Sequence, residues 1–322
     1  MIENRRVTRP FQKVAVVGAG AVGGFFGAML ARAGHAVVLV ARPVHVEAIA
    51  REGLRLEMAG SVESIPVDAS AELAAVRGAD LVLFSVKSTD TEAVAAAMAP
   101  HLDDGALVLS LQNGVENAPT IARHVAAAVV PAVVYVATSM GGPGVVRHHG
   151  RGDLVIGALK ARAGGGEASS ADLQRLVDFF ASAGVPVRIS PDVMAELWAK
   201  LMVNCAYNAV SGLAQATYSE LAALPEVREL QRAVVSEVVA LAAAEGVDLS
   251  YKTSLATMTG IAAAMPEQRS STAQDMARRK LSEIDHLNGF VVRRGRELGV
   301  ATPANQALHA LVKLVEAGHA RA

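Results

Sequence analysis

The sequence predicts an α/β fold in which a mostly parallel sheet, interleaved with helices, is followed by an all-helical half. Two observations predict it. In the first half, apolar and largely β-branched runs recur at residues 14–18, 36–41, 81–86, 107–111 and 129–138. They are the length of strands and too continuously apolar for a sheet with one face in water. Helical patterns at 22–33, 91–98 and 116–124 fall between them, the alternation that builds a parallel sheet covered on both faces. Beyond Pro191 the strand signals stop. Residues 192–215, 226–245, 252–265, 272–298 and 303–316 all read as helices, with Gly246, Pro266, Gly299 and Pro303 as stop and start signals. The expected domains are therefore 1–191 and 192–322.

Smaller elements complete the first domain. Two short strands are expected at 145–149 and 154–159, joined through Gly150, Arg151 and Gly152. Residues 160–170, rich in Gly, Ala and Ser, read as a flexible surface loop. A helix at 172–183 and a strand at 185–189 follow. In the second domain Thr272 and Asp275 have the spacing of a capping-box variant and are expected to start one long helix over 272–298.

Composition bounds the function. A chain of 322 residues exceeds what one core usually supports, and 52% hydrophobic with 19% charged residues excludes disorder. A net charge of -1 offers no electrostatic footprint for nucleic acid or an acidic membrane. The single cysteine, Cys205, cannot close an internal disulfide, which favours a reducing compartment and a cytoplasmic protein. The charged residues 1–10 lack the apolar stretch of a signal peptide. Residues 125–146 carry no charge, but Pro131, Gly141, Gly142, Pro143 and Gly144 interrupt them, so a buried strand and turn are expected rather than a membrane span. The alanine-rich helices can bury their faces against each other or against a second copy, so a homodimer stays open.

The first strand runs into Gly18, Gly20 and Gly23, spaced Gly-x-Gly-x-x-Gly and followed by a helix. The first glycine permits a tight turn, the second lets backbone approach a pyrophosphate, and the third lets the helix pack on the sheet. Alone the motif is weak. With a strand before it, a helix after it and a second strand about 20 residues on, it reads as a Rossmann dinucleotide site formed by Gly18, Ala19, Gly20, Ala21, Val22 and Gly23. The second strand ends at Ala41 and Arg42 with no acid to bind ribose hydroxyls. A guanidinium clamps a 2′-phosphate where a carboxylate would repel it, so NADP(H) is the expected cofactor. Lys87 and the Gln112, Asn113 and Gly114 run close two further strands at the same edge. Lys87 is either a second cation for the cofactor or a surface lysine, and the Gln112, Asn113 and Gly114 run is placed to face the nicotinamide or the substrate, with Asn113 as the candidate contact.

These residues resemble the ketopantoate reductase (2-dehydropantoate 2-reductase) family, over residues 14 to about 314. The resemblance rests on GAGAVGG at 18–24, SVKS at 85–88, QNG at 112–114, PGVVRHHGRGDLVIG at 143–157, KLMVNCAYN at 200–208 and SSTAQDMARRKLSEIDHLNG at 270–289. It implies NADPH-dependent reduction of 2-dehydropantoate to (R)-pantoate in pantothenate synthesis. It also implies a C-terminal domain of the 6-phosphogluconate dehydrogenase type, with the active site in a cleft beside the Rossmann domain. The family's general-acid lysine falls on Lys200, its substrate-contacting asparagines on Asn113, Asn204 and Asn208, and its serine and glutamate on Ser271 and Glu283. Where some members carry a further asparagine, this chain has Tyr218, a departure that bears on substrate identity.

The residues agree with that chemistry. Lys200, Asn204 and Asn208 recur every fourth residue and form one polar stripe on a helix. Hydride arriving at a 2-oxo acid leaves negative charge on the former carbonyl oxygen, which calls for a cation that can also give up a proton. An ammonium does both, and arginine does not. Asparagine amides hold a carboxylate and hydroxyl without adding charge. Ser271, near a helix start, suits the substrate carboxylate, and Glu283 is expected about three turns on, near the face of Asp275 and Arg279. Cys205 is expected to pack as an apolar group, and no metal constellation is seen. Two alternatives remain: a reductase of another small 2-oxo acid, and a non-catalytic NADPH-binding protein.

Overall fold

The computed structural model describes residues 10–159 and 166–319 and divides into two compact units, Met1–Val193 and Met194–Ala322. The expectations for residues 1–9 and for 160–165 of the glycine-rich loop lie outside the described residues. In the first unit the order is β1 (Val14–Val17), α1 (Ala21–Arg32), β2 (Val37–Val40), α2 (Pro43–Glu52), β3 (Leu54–Met58), β4 (Ser61–Ile65) and β5 (Asp68–Ser70). Then come β6 (Leu81–Phe84), α3 (Thr91–Met98), β7 (Leu107–Ser110), α4 (Asn117–His124), β8 (Ala128–Gly142), β9 (Val145–Ile156), α5 (Ser170–Ser182) and β10 (Val187–Ile189).

The sheet runs β4-β3-β9-β8-β7-β6-β1-β2-β5, with β10 beside β9. From β8 to β5 every pairing is parallel. Side chains alternate across it as the pleat requires. Val14, Val16, Leu39, Leu81, Leu83, Leu107 and Leu109 enter one core, and Ala15, Val17, Val38, Val40, Val82, Phe84 and Val108 the other. Both faces are therefore covered, which is why these strands read as unbroken apolar runs. The other half of the sheet is mixed: β9 is antiparallel to β8 and β4 to β3, while β3 and β10 pair with β9 in parallel.

The two strands expected at 145–149 and 154–159 are instead one, β9. The register with β8 slips between Tyr135 and Val136, between Ala137 and Thr138 and between Met140 and Gly142. Each slip is a bulge that absorbs a residue, so Arg151 (φ 56), Gly150 and Gly152 stay within the strand. Four further elements of this unit lie outside the sequence expectations: α2, β3, β4 and β5. The signal for α2 was present as Pro43 at its first position.

The second unit contains α6 (Val193–Ala214), α7 (Tyr218–Ala223), α8 (Pro225–Ala244), α9 (Tyr251–Ala264), α10 (Ser271–Ala277), α11 (Asn288–Leu298) and α12 (Pro303–His319). The expected helix over 272–298 is broken in two. At the end of α10 the Arg279 N–H donates to Met276 O and the Lys280 N–H to Asp275 O, with Arg279 left-handed at φ 53. That is a Schellman stop, written with an arginine where glycine is usual. The cap also differs from expectation: Ser270, not Thr272, caps α10, its Oγ accepting from the Ala273 N–H at 3.0 Å, while Thr272 is the buried second residue of the helix. Among the described residues no helix is long and apolar enough to cross a membrane; most of the uncharged stretch 125–146 is β8.

Candidate active site

The glycine turn is built by close approach of backbone to backbone. Gly18 has φ 91, and a Cβ there would lie 2.6 Å from Val86 N. The Ser85 hydroxyl donates to Gly18 O at 2.9 Å, and the Gly18 and Ala19 N–H groups both donate to Val40 O. The turn is thus tied to the ends of β2 and β6. A Cβ on Gly23 would lie 2.7 Å from Gly18 O, so the third glycine lets α1 close on the strand. A Cβ on Gly20 would meet nothing nearer than Gly18 O at 4.0 Å, so the second glycine leaves the turn open on that side. No side chain caps α1 and no acid stands in its first turn. Free N–H groups and an uncompensated helix dipole fit a pyrophosphate.

Arg42 and Lys87 are both exposed at the carboxyl edge of the sheet, Arg42 just past β2 and Lys87 two residues beyond Ser85. Behind this edge a buried polar network joins the loops after β6 and β7. The Gln112 side chain donates to Val86 O at 2.9 Å and to Thr91 Oγ1 at 2.7 Å. Thr91 Oγ1 donates to Asn117 Oδ1 at 2.8 Å, and Asn117 Nδ2 donates to Ser88 Oγ and to Asn113 O, the latter at 2.6 Å. Gln112 therefore points inward, against the expectation that it faces a ligand. Its neighbour Asn113 remains half-buried, with its carbonyl held by Asn117.

On the helical unit, α6 buries Leu197, Trp198, Leu201 and Cys205 and leaves Lys200 and Asn204 half-buried on the stripe between them. Asn208 is buried, its Nδ2 3.4 Å from the Oγ of Ser271, the first residue of α10. The next hydroxyl back, Ser270, donates to Asn208 O at 3.2 Å. Asn208 and Ser271, 63 residues apart in sequence, are thus brought together by the fold. Glu283 is half-buried but does not share a helix face with Asp275 and Arg279, because the chain leaves the helix at Arg278. It stands instead in a turn tied to α12. The Ser282 N–H and hydroxyl both donate to the buried Glu316 Oε1, and Asp285 accepts from Lys313 at 2.7 Å and lies 2.6 Å from His309 Nε2.

Tyr218 packs its ring 4.6 Å from that of Tyr207, and burial, with Tyr207 beside it, pushes its phenol up to about 12. It is a core side chain in this unit. Cys205 is fully buried, which pushes its thiol well above the ordinary range, the Glu237 carboxylate adding to it. Its carbonyl accepts from Asn288 Nδ2, which also reaches Asn305 Oδ1 at 2.9 Å, and Glu237 caps α12 through the Ala304 and Asn305 N–H groups. This brace joins α6, α8, α11 and α12 and sets the orientation of the Lys200 stripe.

Family models match both units. The ketopantoate reductase PanE/ApbA family matches residues 14–161, and its C-terminal model matches residues 192–316. The chain belongs to the ketopantoate reductase family. Curated relatives named 2-dehydropantoate 2-reductase include one from Halobacterium salinarum, 32% identical across 94% of this chain and 99% of its own. Another, from Caulobacter vibrioides, is 34% identical across 93% and 97%. Among solved structures, a PanE/ApbA family ketopantoate reductase from Ralstonia eutropha superposes with a TM-score of 0.87 at 54% identity, covering 95% of this chain and 99% of that one. D-mandelate dehydrogenase with NADH and anilino(oxo)acetate reaches the same TM-score at 24% identity over 95% and 99%, a likeness of fold alone.

Within this ketopantoate reductase fold, sequence reading missed Ser85, Thr91 and Asn117 in the first unit and Glu237, Asn288 and Asn305 in the second. Ser85 and Asn288 lay inside blocks already singled out. The others carried no local signal, because each of these polar residues depends on at least one partner far along the chain.

Proposed function

We propose that the chain reduces 2-dehydropantoate to (R)-pantoate with NADPH. The observation that carries this reading is the α6 stripe of Lys200, Asn204 and Asn208, with Asn208 meeting Ser271 at the start of α10. Lys200 holds a positive charge and a transferable proton for the oxygen that gains charge as the carbonyl is reduced. Asn204, Asn208 and the Ser271 hydroxyl at a helix start offer neutral donors and acceptors for the substrate's carboxylate and hydroxyl. Glu283 accepts a substrate hydroxyl or orients Lys200. Asn113, with its backbone held by Asn117, serves cofactor and substrate alike.

Gly18, Ala19, Gly20, Ala21, Val22 and Gly23 would hold the pyrophosphate, and Lys87 would add a cation at the same edge. NADPH supplies the hydride when bound. The preference for NADPH over NADH is supported by Arg42 at the end of β2, where no carboxylate stands to repel a 2′-phosphate. A single, fully buried thiol fits work in the reducing cytoplasm.

The test is consumption of NADPH, followed by absorbance, with 2-dehydropantoate and with a panel of other 2-oxo acids, repeated with NADH. Turnover is expected to favour 2-dehydropantoate and NADPH together. Equal turnover of other 2-oxo acids would overturn the substrate, and silence across the panel would leave a non-catalytic NADPH-binding protein.

A further inference from the structure

His45 stands in the first turn of α2, three residues past Arg42, and is only 8% exposed. Its Nδ1 accepts a hydrogen bond from the Gly144 N–H at 3.2 Å. Gly144 belongs to the turn between β8 and β9 and packs on α2, where a Cβ on it would lie 3.1 Å from that of Ala48. The backbone N–H can only donate, so Nδ1 must keep its lone pair. A neutral imidazole with that lone pair carries its proton on Nε2. Nε2 lies 3.4 Å from Arg42 Nη2, which is also a donor. A donor on a buried ring and a donor on an exposed guanidinium converge, and neither can satisfy the other.

What both lack is a shared acceptor. A single anionic oxygen set against the pair would take one hydrogen bond from each. The surroundings favour an anion further: α2 begins here, and its first turn contains no acid. The place is also specific. Val40, two residues before Arg42, accepts from the Gly18 and Ala19 N–H groups, so this point lies at the strand end beside the glycine turn. In a Rossmann unit that strand end faces the adenosine ribose.

We propose that His45 is a specificity-determining residue for the cofactor, its Nε2–H acting beside Arg42 as a second donor to the 2′-phosphate of NADPH. The proposal rests on the reading of NADPH as the cofactor. Gly144 fixes the tautomer, so the hairpin turn between β8 and β9 sets the direction of the donor.

The test is calorimetric binding of 2′,5′-ADP and 5′-AMP, and of NADPH and NADH, to the full chain and to His45→Leu and His45→Gln. His45→Leu is expected to weaken 2′,5′-ADP and NADPH by about tenfold, the scale of one hydrogen bond to a charged group. Its affinity for 5′-AMP and NADH should not change. His45→Gln can accept from the Gly144 N–H with its oxygen and donate with its nitrogen, and it should keep most of the preference. Equal weakening of all four ligands in His45→Leu would make His45 a structural brace and overturn the proposal. An undiminished preference for 2′,5′-ADP in that variant would overturn it while leaving the cofactor reading intact. If the unaltered chain itself binds 5′-AMP as tightly as 2′,5′-ADP, both readings fall.

Discussion

At the scale of single residues, the site divides into side chains that announce themselves and side chains that do not. Lys200, Asn204 and Asn208 are legible because four-residue spacing puts them on one helix face whatever surrounds them. Replacing Lys200 by Ala is expected to lower kcat by about a hundredfold or more, the usual scale of a general acid. NADPH affinity, measured by fluorescence titration, should stay unchanged. Equal losses in both would make the lysine structural or cofactor-binding. Thr91, Asn117 and His45 are of the other kind, since each depends on a partner far along the chain, 26, 29 and 99 residues away respectively. Nothing in a short window marks such residues, because an isolated Asn or His is equally at home on a solvated surface. Gln112 shows the converse error, a polar residue at a ligand-facing edge whose side chain turns inward to serve the loops.

At the scale of elements, the break between α10 and α11 is the clearest case of tertiary structure overriding a helical pattern. Arg279 occupies a left-handed position that costs a side chain about 1 kcal/mol. It is exposed, so Arg279→Gly is expected to raise stability by about 0.5–1 kcal/mol in urea unfolding without changing turnover. A loss of stability would mean that the arginine side chain holds the turn. The segment after the break is clamped to α12 through Asp285. Partial burial works against its charge, but hydrogen bonds from Lys313 and His309 outweigh it and hold the carboxyl below its ordinary range. Lys313 is raised in turn, chiefly by its hydrogen bond to Asp285. A depressed carboxyl contributes stability above its unfolded pKa, near 4, and loses it as pH falls through the folded value. A raised ammonium contributes below its unfolded pKa, about 10.4, and loses it as pH rises through the folded value. Asp285→Asn should therefore lower the urea midpoint across the neutral range, with the difference shrinking below about pH 4. A difference of the same size at pH 3 and pH 7 would contradict this.

At the scale of the whole molecule, cofactor binding and folding are linked. A ligand present at about a hundred times its Kd stabilises the native state by about 2.7 kcal/mol. NADPH should raise the melting temperature of the chain, and Lys200→Ala should keep that rise in full. Arg42→Ala should lose it for NADPH more than for NADH; an equal loss would assign Arg42 to the fold rather than to the 2′-phosphate. The sequence by itself determined the five parallel strands β1, β2, β6, β7 and β8 and the helical second half, the glycine turn, the absence of an acid after the second strand and the polar stripe of the sixth helix. Each of these is written within a few neighbouring residues, as a period, a spacing or a special backbone conformation. Tertiary structure alone decided where the late helix breaks, how β8 and β9 slip past one another, which way Gln112 turns and which backbone group meets Nδ1 of His45. Those outcomes depend on hydrogen-bond partners and packing surfaces that meet only after the chain has folded, so local pattern has no means of recording them.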